Sequence, residues 1–163
     1  MKKFDFENTL GMAIKQSSKS LERAMDIELK ELLGLSSGQW KIILALSIED
    51  GFSQKDLAER IFVDSTTLVP IIDSMEKKEL VERRTDTKDR RNNRIFLTEK
   101  SKSLVDPIME SIFRIRKVVY KNIPEHDLEF ARNILKKITE NAEFYMAKSN
   151  GKTQQPIKQK IRV

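Results

Sequence analysis

A mainly α-helical fold is expected for this chain of 163 residues, on three observations. Only 5 glycines and 4 prolines interrupt it. Apolar residues recur at steps of three, four and seven over long stretches, the spacing of one helix face. The period changes to about two only between residues 80 and 97, where short strands fit better than helix. With 39% hydrophobic residues the chain can bury a real core, and its length suits one domain with extensions.

From the N-terminus, Leu10, Ile14, Leu21, Met25, Leu29 and Leu32 mark one stripe on a long helix that starts at Phe6 and that Gly34 ends. Ser36 with Gln39 makes a capping box for a second helix through Trp40, Ile43, Leu44 and Ala45, stopped by Asp50-Gly51. Ser53 with Asp56 caps a short third helix, "QKDLAERI", with Leu57, Ala58 and Ile61 facing inward. Asp64 caps a fourth, "STTLVPIIDSMEKKE", whose Leu68, Ile71, Ile72 and Met75 share a face. "LVERR" and "RIFL" then read as strands joined by "TDTKDRRNN", a stretch too polar to be a core. Thr98 opens a long helix striped by Leu104, Ile108, Ile112, Ile115 and Val119, with Pro107 as the candidate kink. Pro124 begins the last helix, striped by Leu128, Ala131, Leu135, Ile138, Ala142 and Tyr145. Past Lys148 periodicity ends and basic residues (Lys148, Lys152, Lys158, Lys160, Arg162) stand without an acidic one, so a disordered basic tail is expected.

The formal charge of +6 favours polyanionic partners, nucleic acid first among them. The absence of Cys excludes structural disulfides, Cys nucleophiles and thiolate metal sites, and the single His126 cannot build a metal cluster by itself. Without a promising Ser-His-Asp spacing or a Gly-rich phosphate loop, neither an enzyme nor a bound cofactor is expected. No run approaches the roughly 18 apolar residues of a membrane span. "MKKFDFENTL" has no apolar region of a secretion signal, so a cytoplasmic protein is expected.

Two short helices joined by a tight turn and followed by a hairpin is the order of a winged helix-turn-helix. In that arrangement the second helix enters the major groove and the hairpin reaches toward the minor groove or the backbone. With its apolar face inward, the fourth helix turns Thr66, Pro70, Asp73 and Lys77 outward, flanked by Thr67 and Ser74 on one side and Val69 on the other. This face is small and hydroxylated near its start. The helix dipole there favours phosphate, and Ser65, Thr66 and Thr67 can donate to phosphates or base edges, while the Pro70 ring can meet a thymine methyl. Each feature alone reads as readily as a helix cap or a solvated turn; their adjacency favours contact with a duplex. A basic hairpin directly after such a helix places arginine where it can enter a narrow minor groove.

The stretch "QKDLAERIFVDSTTLVPIIDSMEKKELVERRTDTKDRRNNRIFLTEKS", with the helices on both sides, resembles the MarR family of bacterial and archaeal transcriptional regulators over residues 6 to 147. The specific part is the wing pattern D-x-x-D-R-R followed by a strand ending in L-T, seen as Asp86, Asp89, Arg90, Arg91, Leu97 and Thr98. The resemblance implies a homodimer whose N- and C-terminal helices interlock as a dimerisation region, with one recognition helix in each half of a pseudo-palindromic operator in double-stranded DNA. Repression is the expected sense of control. It implies Ser65, Thr66, Thr67, Val69 and Pro70 at the major groove, with Ser74 and Lys77 further along the same helix, and Arg91 in the minor groove. Arg90 and Arg94 become phosphate contacts or wing braces, and Asp89 holds the wing arginines by ion pairing. A crevice for a small aromatic effector is implied between the dimerisation helices and the DNA-binding lobe, with Trp40 either lining it or serving as a core aromatic.

Two departures stand out. "DSTTLVPII" is similar to the recognition helix of organic-hydroperoxide regulators, yet their reactive cysteine has no counterpart, which excludes thiol-based peroxide sensing. Glu79 and Ser101 occupy positions where many members carry Gly. The expected organisation is a dimerisation helix over 1–34, a winged helix-turn-helix lobe over 35–98, C-terminal dimerisation helices over 99–147 and a basic tail over 148–163. Two other readings stay open: an architectural protein that coats DNA without sequence preference, and a helical interaction adaptor whose wing takes an acidic protein partner.

Overall fold

The computed structural model describes residues 5–87, 89 and 92–149. The chain divides into two compact units, Met1–Val119 and Tyr120–Val163. Along the first run α1 (Leu10–Leu33), α2 (Ser37–Ile48), β1 (Phe52–Ser53), α3 (Gln54–Arg60), α4 (Ser65–Lys77), β2 (Val81–Thr85), β3 (Asn93–Leu97), α5 (Glu99–Lys102) and α6 (Val105–Val119). The second holds α7 (Glu125–Ser149). No helix among the described residues is long and apolar enough to cross a membrane.

Local chemistry sets the helix limits. Thr9 Oγ1 accepts the Met12 N–H at 3.3 Å and starts α1, later than Phe6, because the Asp5 carboxylate accepts from Asn8 and closes a turn before it. Gly34, at φ 66°, ends the helix in the left-handed conformation that costs glycine nothing. The Ser36 N–H donates to Gln39 Oε1 at 3.1 Å, as the capping box requires, and Ser53 Oγ accepts from the Asp56 N–H at 3.1 Å. α2 is apolar nearly all round. It buries Trp40, Ile42, Ile43, Ala45 and Leu46 and is the pillar of the core, against which Leu57, Leu68, Ile72, Met75 and Ile108 pack.

The hairpin pairs in antiparallel register from Val81↔Leu97 to Thr85↔Asn93, and β1 joins the free edge of β3 through Phe52↔Ile95 and Ser53↔Arg94. The sheet order is β1-β3-β2. β1 is too short to show a period in sequence. The hairpin is too polar to be a core by itself, yet it adds one face to the core built on α2. Val81, Ile95 and Leu97 are buried on one face, so alternation hides a half-buried strand inside a charged stretch.

The long helix after Thr98 is broken, and not where Pro107 stands. α5 ends at Lys102, the Leu104 N–H turns back to Ser101 O at 3.0 Å, and α6 starts afresh with Pro107 in its first turn. Proline lacks the N–H that the Ser103 carbonyl would accept in a continuous helix, so the interruption falls upstream of the ring, where proline is best tolerated.

Candidate nucleic-acid interface

α4 has one side in the core, through Leu68, Ile72 and Met75, and presents the other. Ile71 is half-buried against that core rather than enclosed by it. Ser65, Thr66, Thr67, Val69, Pro70 and Lys77 are exposed and Ser74 is half-buried, which gathers the expected major-groove residues on one helix. The helix continues through Pro70 without a break.

Asp64 organises the start of this helix. Its Oδ1 accepts the Thr67 N–H at 2.7 Å and the Thr66 hydroxyl at 2.5 Å, and its Oδ2 accepts the Thr67 hydroxyl at 3.0 Å. Donation by the Thr66 hydroxyl, then by the Thr67 amide and hydroxyl, holds the Asp64 carboxyl down at about 2. Both threonine hydroxyl hydrogens therefore point back to the cap, and their oxygens offer lone pairs outward. In this state they accept more readily than they donate.

The turn before α4 is tight. Phe62 takes φ 58°, and the Val63 N–H reaches back to Ala58 O at 3.0 Å, closing α3 in a left-handed cap. α4 closes in the same way. Glu79 takes φ 58° and the Leu80 N–H donates to Met75 O at 2.9 Å. Glu79 thus occupies a conformation that suits Gly, at its own cost. Ser101 is fully buried, and its hydroxyl lies 2.5 Å from Leu80 O, to which it donates. That bond ties the end of the wing to its root.

On the wing, Arg94 Nε donates to Asp86 Oδ2 at 2.6 Å, and Arg94 Nη1 donates to Gly51 O at 2.9 Å. Arg94 thereby braces the hairpin against the loop before β1. Asp89 turns the tip, accepting from the Asn92 side-chain amide at 3.1 Å while its carbonyl accepts the Asn92 N–H at 2.9 Å. Arg84 lies 4.4 Å from the Phe96 ring centroid and pairs with Glu82. Arg90 and Arg91 lie outside the described residues, as does the tail from residue 150.

A residue that sequence reasoning missed is Arg83. From β2 it donates Nη2 to Asp73 Oδ1 at 2.5 Å, Nη1 to Glu76 Oε2, and Nε to Gln54 Oε1 at 3.3 Å, joining α3, α4 and the wing. Its partners stand seven, ten and 29 residues away in the chain, beyond any short-range signal.

Trp40 is a core aromatic with its indole N–H donated to Asp26 Oδ1 at 3.0 Å, and it also lines a cleft. The cleft, about 750 Å³, is bounded by α1, by Trp40, Lys41 and Ile48 of α2, and by Arg60 and Phe62 at the turn into α4. Lys41 pairs with Glu22 across it, and burial pushes the Lys41 ammonium below its usual range. Among the described residues no cluster of three or more His, Cys, Asp or Glu is placed to hold a metal.

A braced helix, a second helix with an open hydroxylated face and a β-hairpin beside it define a winged helix-turn-helix protein. The model of the MarR family matches residues 35–92. The HTH-type transcriptional regulator SarZ of Staphylococcus aureus is 36% identical over 94 residues, which cover 58% of this chain and 63%, under two thirds, of SarZ's own length. The structure of the transcriptional regulator PA3341 superposes with a TM-score of 0.75 at 30% identity, covering 83% of this chain and 98% of that one. A MarR transcriptional regulator from Methanosarcina mazei Go1 gives a TM-score of 0.73 at 26% identity, covering 83% and 97%. The chain belongs to the MarR family.

Proposed function

We propose that the protein is a cytoplasmic transcriptional regulator that binds double-stranded DNA sequence-specifically, as a homodimer on a pseudo-palindromic operator, with repression as its sense of control. The observation that carries this reading is the open face of α4. Ser65, Thr66, Thr67, Val69 and Pro70 are exposed together on a helix whose opposite side is locked in the core, with Lys77 at its far end. The face begins with small hydroxylated side chains, and the net charge of +6 supplies attraction for phosphates. Arg91 and Arg90, which follow Asp89 in the sequence, are assigned to the minor groove and the backbone, and Arg94 and Asp89 to bracing.

The homodimer is supported by large apolar side chains that one chain leaves bare. Leu10, Ile27 and Leu32 on α1 and Phe113 on α6 are exposed, and no residue of α7 is buried. A stable protein covers patches of this kind with a partner. The cleft beside Trp40, lined by the Lys41–Glu22 pair and Arg60 as well as by apolar side chains, suits a small aromatic effector.

Selection of bound duplexes from a random library, followed by footprinting, tests the reading. The expected result is an inverted repeat protected as two half-sites about 10 bp apart, with affinity falling steeply as salt rises. Uniform, sequence-indifferent coverage would instead favour the architectural alternative. DNA affinity unmoved by Arg91→Ala would favour the adaptor.

A further inference from the structure

Asp73 is out of place on the open face of α4. It follows Pro70 by three residues and precedes Lys77 by four, so it shares their side of the helix, and Glu76 lies three residues further on. Two carboxylates there would repel the phosphates that the rest of the surface attracts. Arg83 meets both, Nη2 on Asp73 and Nη1 on Glu76, and anchors its own Nε on Gln54 of α3. Its side chain is 19% exposed, against 49% and 43% for the two carboxylates. The cation is therefore turned inward onto its partners. A guanidinium presents its N–H donors in one plane, which lets Arg83 meet three acceptors on two helices at once, while its charge is what offsets the two carboxylates.

We propose that Arg83 is a positioning residue for duplex binding: it neutralises Asp73 and Glu76 on α4 and ties the wing strand to that helix, so that the two carboxylates do not repel the phosphates. The inference rests on the reading of α4 as the helix that meets DNA. The wing and the recognition helix are thereby one electrostatic unit. Displacing β2 from α4 would uncover two negative charges at the interface.

The test measures affinity for a duplex selected with the wild-type protein, over a series of salt concentrations. The variants are Arg83→Ala, Arg83→Lys, and Arg83→Ala combined with Asp73→Asn and Glu76→Gln. Arg83→Ala is expected to weaken binding roughly tenfold at low salt, as two exposed like charges near the backbone would, with the deficit narrowing as salt screens them. The combined variant regains most of that loss, and Arg83→Lys, which keeps the charge, retains most of the wild-type affinity. A purely structural role for Arg83 would not be relieved by removing charge from its partners. The proposal is overturned if Arg83→Ala binds as tightly as wild type, or if the combined variant recovers less than half of the loss on a logarithmic scale. Wild-type protein that selects no duplex would refute the DNA-binding reading itself, a different outcome from either.

Discussion

Asp64 gathers three hydrogen bonds on one exposed carboxylate, and its pKa of about 2, against an ordinary 3.8, has a consequence for acid stability. A carboxyl depressed by folding stabilises the fold fully above its unfolded pKa and loses that contribution as pH falls through the folded one. The gap in melting temperature between wild type and Asp64→Ala should therefore hold steady above pH 3.8 and close as pH falls toward about 2. A gap unchanged down to that pH would show that the ionised cap is not what matters. Asp64→Asn, which still accepts, should lose less than Asp64→Ala. Glu79 makes a second case at this scale. Its left-handed backbone costs about 1–2 kcal/mol in a residue with a Cβ. Glu79→Gly relieves that strain but adds about 0.5–1 kcal/mol of chain entropy. Denaturant titration should find Glu79→Gly neutral to about 1 kcal/mol more stable, and Glu79→Val less stable than wild type, because a β-branched side chain tolerates positive φ least. The cap at Asp64 was legible in sequence because its partners are two and three residues away. The strain at Glu79 showed only as a departure from glycine.

Among the elements, the wing depends on the loop before it. Gly51 sits at φ 80°, its N–H donates to Ile95 O at 3.0 Å, and its carbonyl accepts Arg94 Nη1. A Cβ there would fall 2.8 Å from Phe96 Cε1 and 2.9 Å from Cζ, too close for either to stay. Gly51→Ala should cost about 1–3 kcal/mol, from left-handed strain plus displacement of the ring, read as a lower denaturation midpoint. An unchanged midpoint would mean that the loop shifts freely and does not hold the wing. In the sequence Gly51 reads only as the stop of α2, because its partners lie on β3, more than forty residues along. The same distance rule divides what was legible from what was not. Helix starts at Ser36, Ser53, Asp64 and Thr98 rest on contacts within three residues and are legible in the sequence. β1 has two residues and no period, the interruption before α6 comes from a missing donor rather than a periodic signal, and the Arg83 tie spans three elements. The open face of α4 was legible because a single helical period separates its buried and exposed sides.

The molecule as a whole presents two kinds of unfilled surface. One is the open side of α4 with the wing. The other is apolar: among the described residues Leu10 and Leu32 of α1 and Leu135 and Tyr145 of α7, which stand on stripes visible in the sequence, are exposed. A periodic stripe announces burial without naming the partner, so sequence alone could not separate a core from an interface between copies. On the proposed reading the two surfaces are linked: pairing through the apolar helices would set the distance between two α4 helices, and that distance would have to match the repeat of the duplex. The most direct test is a set of duplexes carrying the selected half-site twice, with the centre-to-centre spacing lengthened in single base-pair steps. Affinity is predicted to peak near one helical turn, about 10 bp, and to collapse when about 5 bp more turn the second half-site to the opposite side. Affinity indifferent to spacing would contradict it.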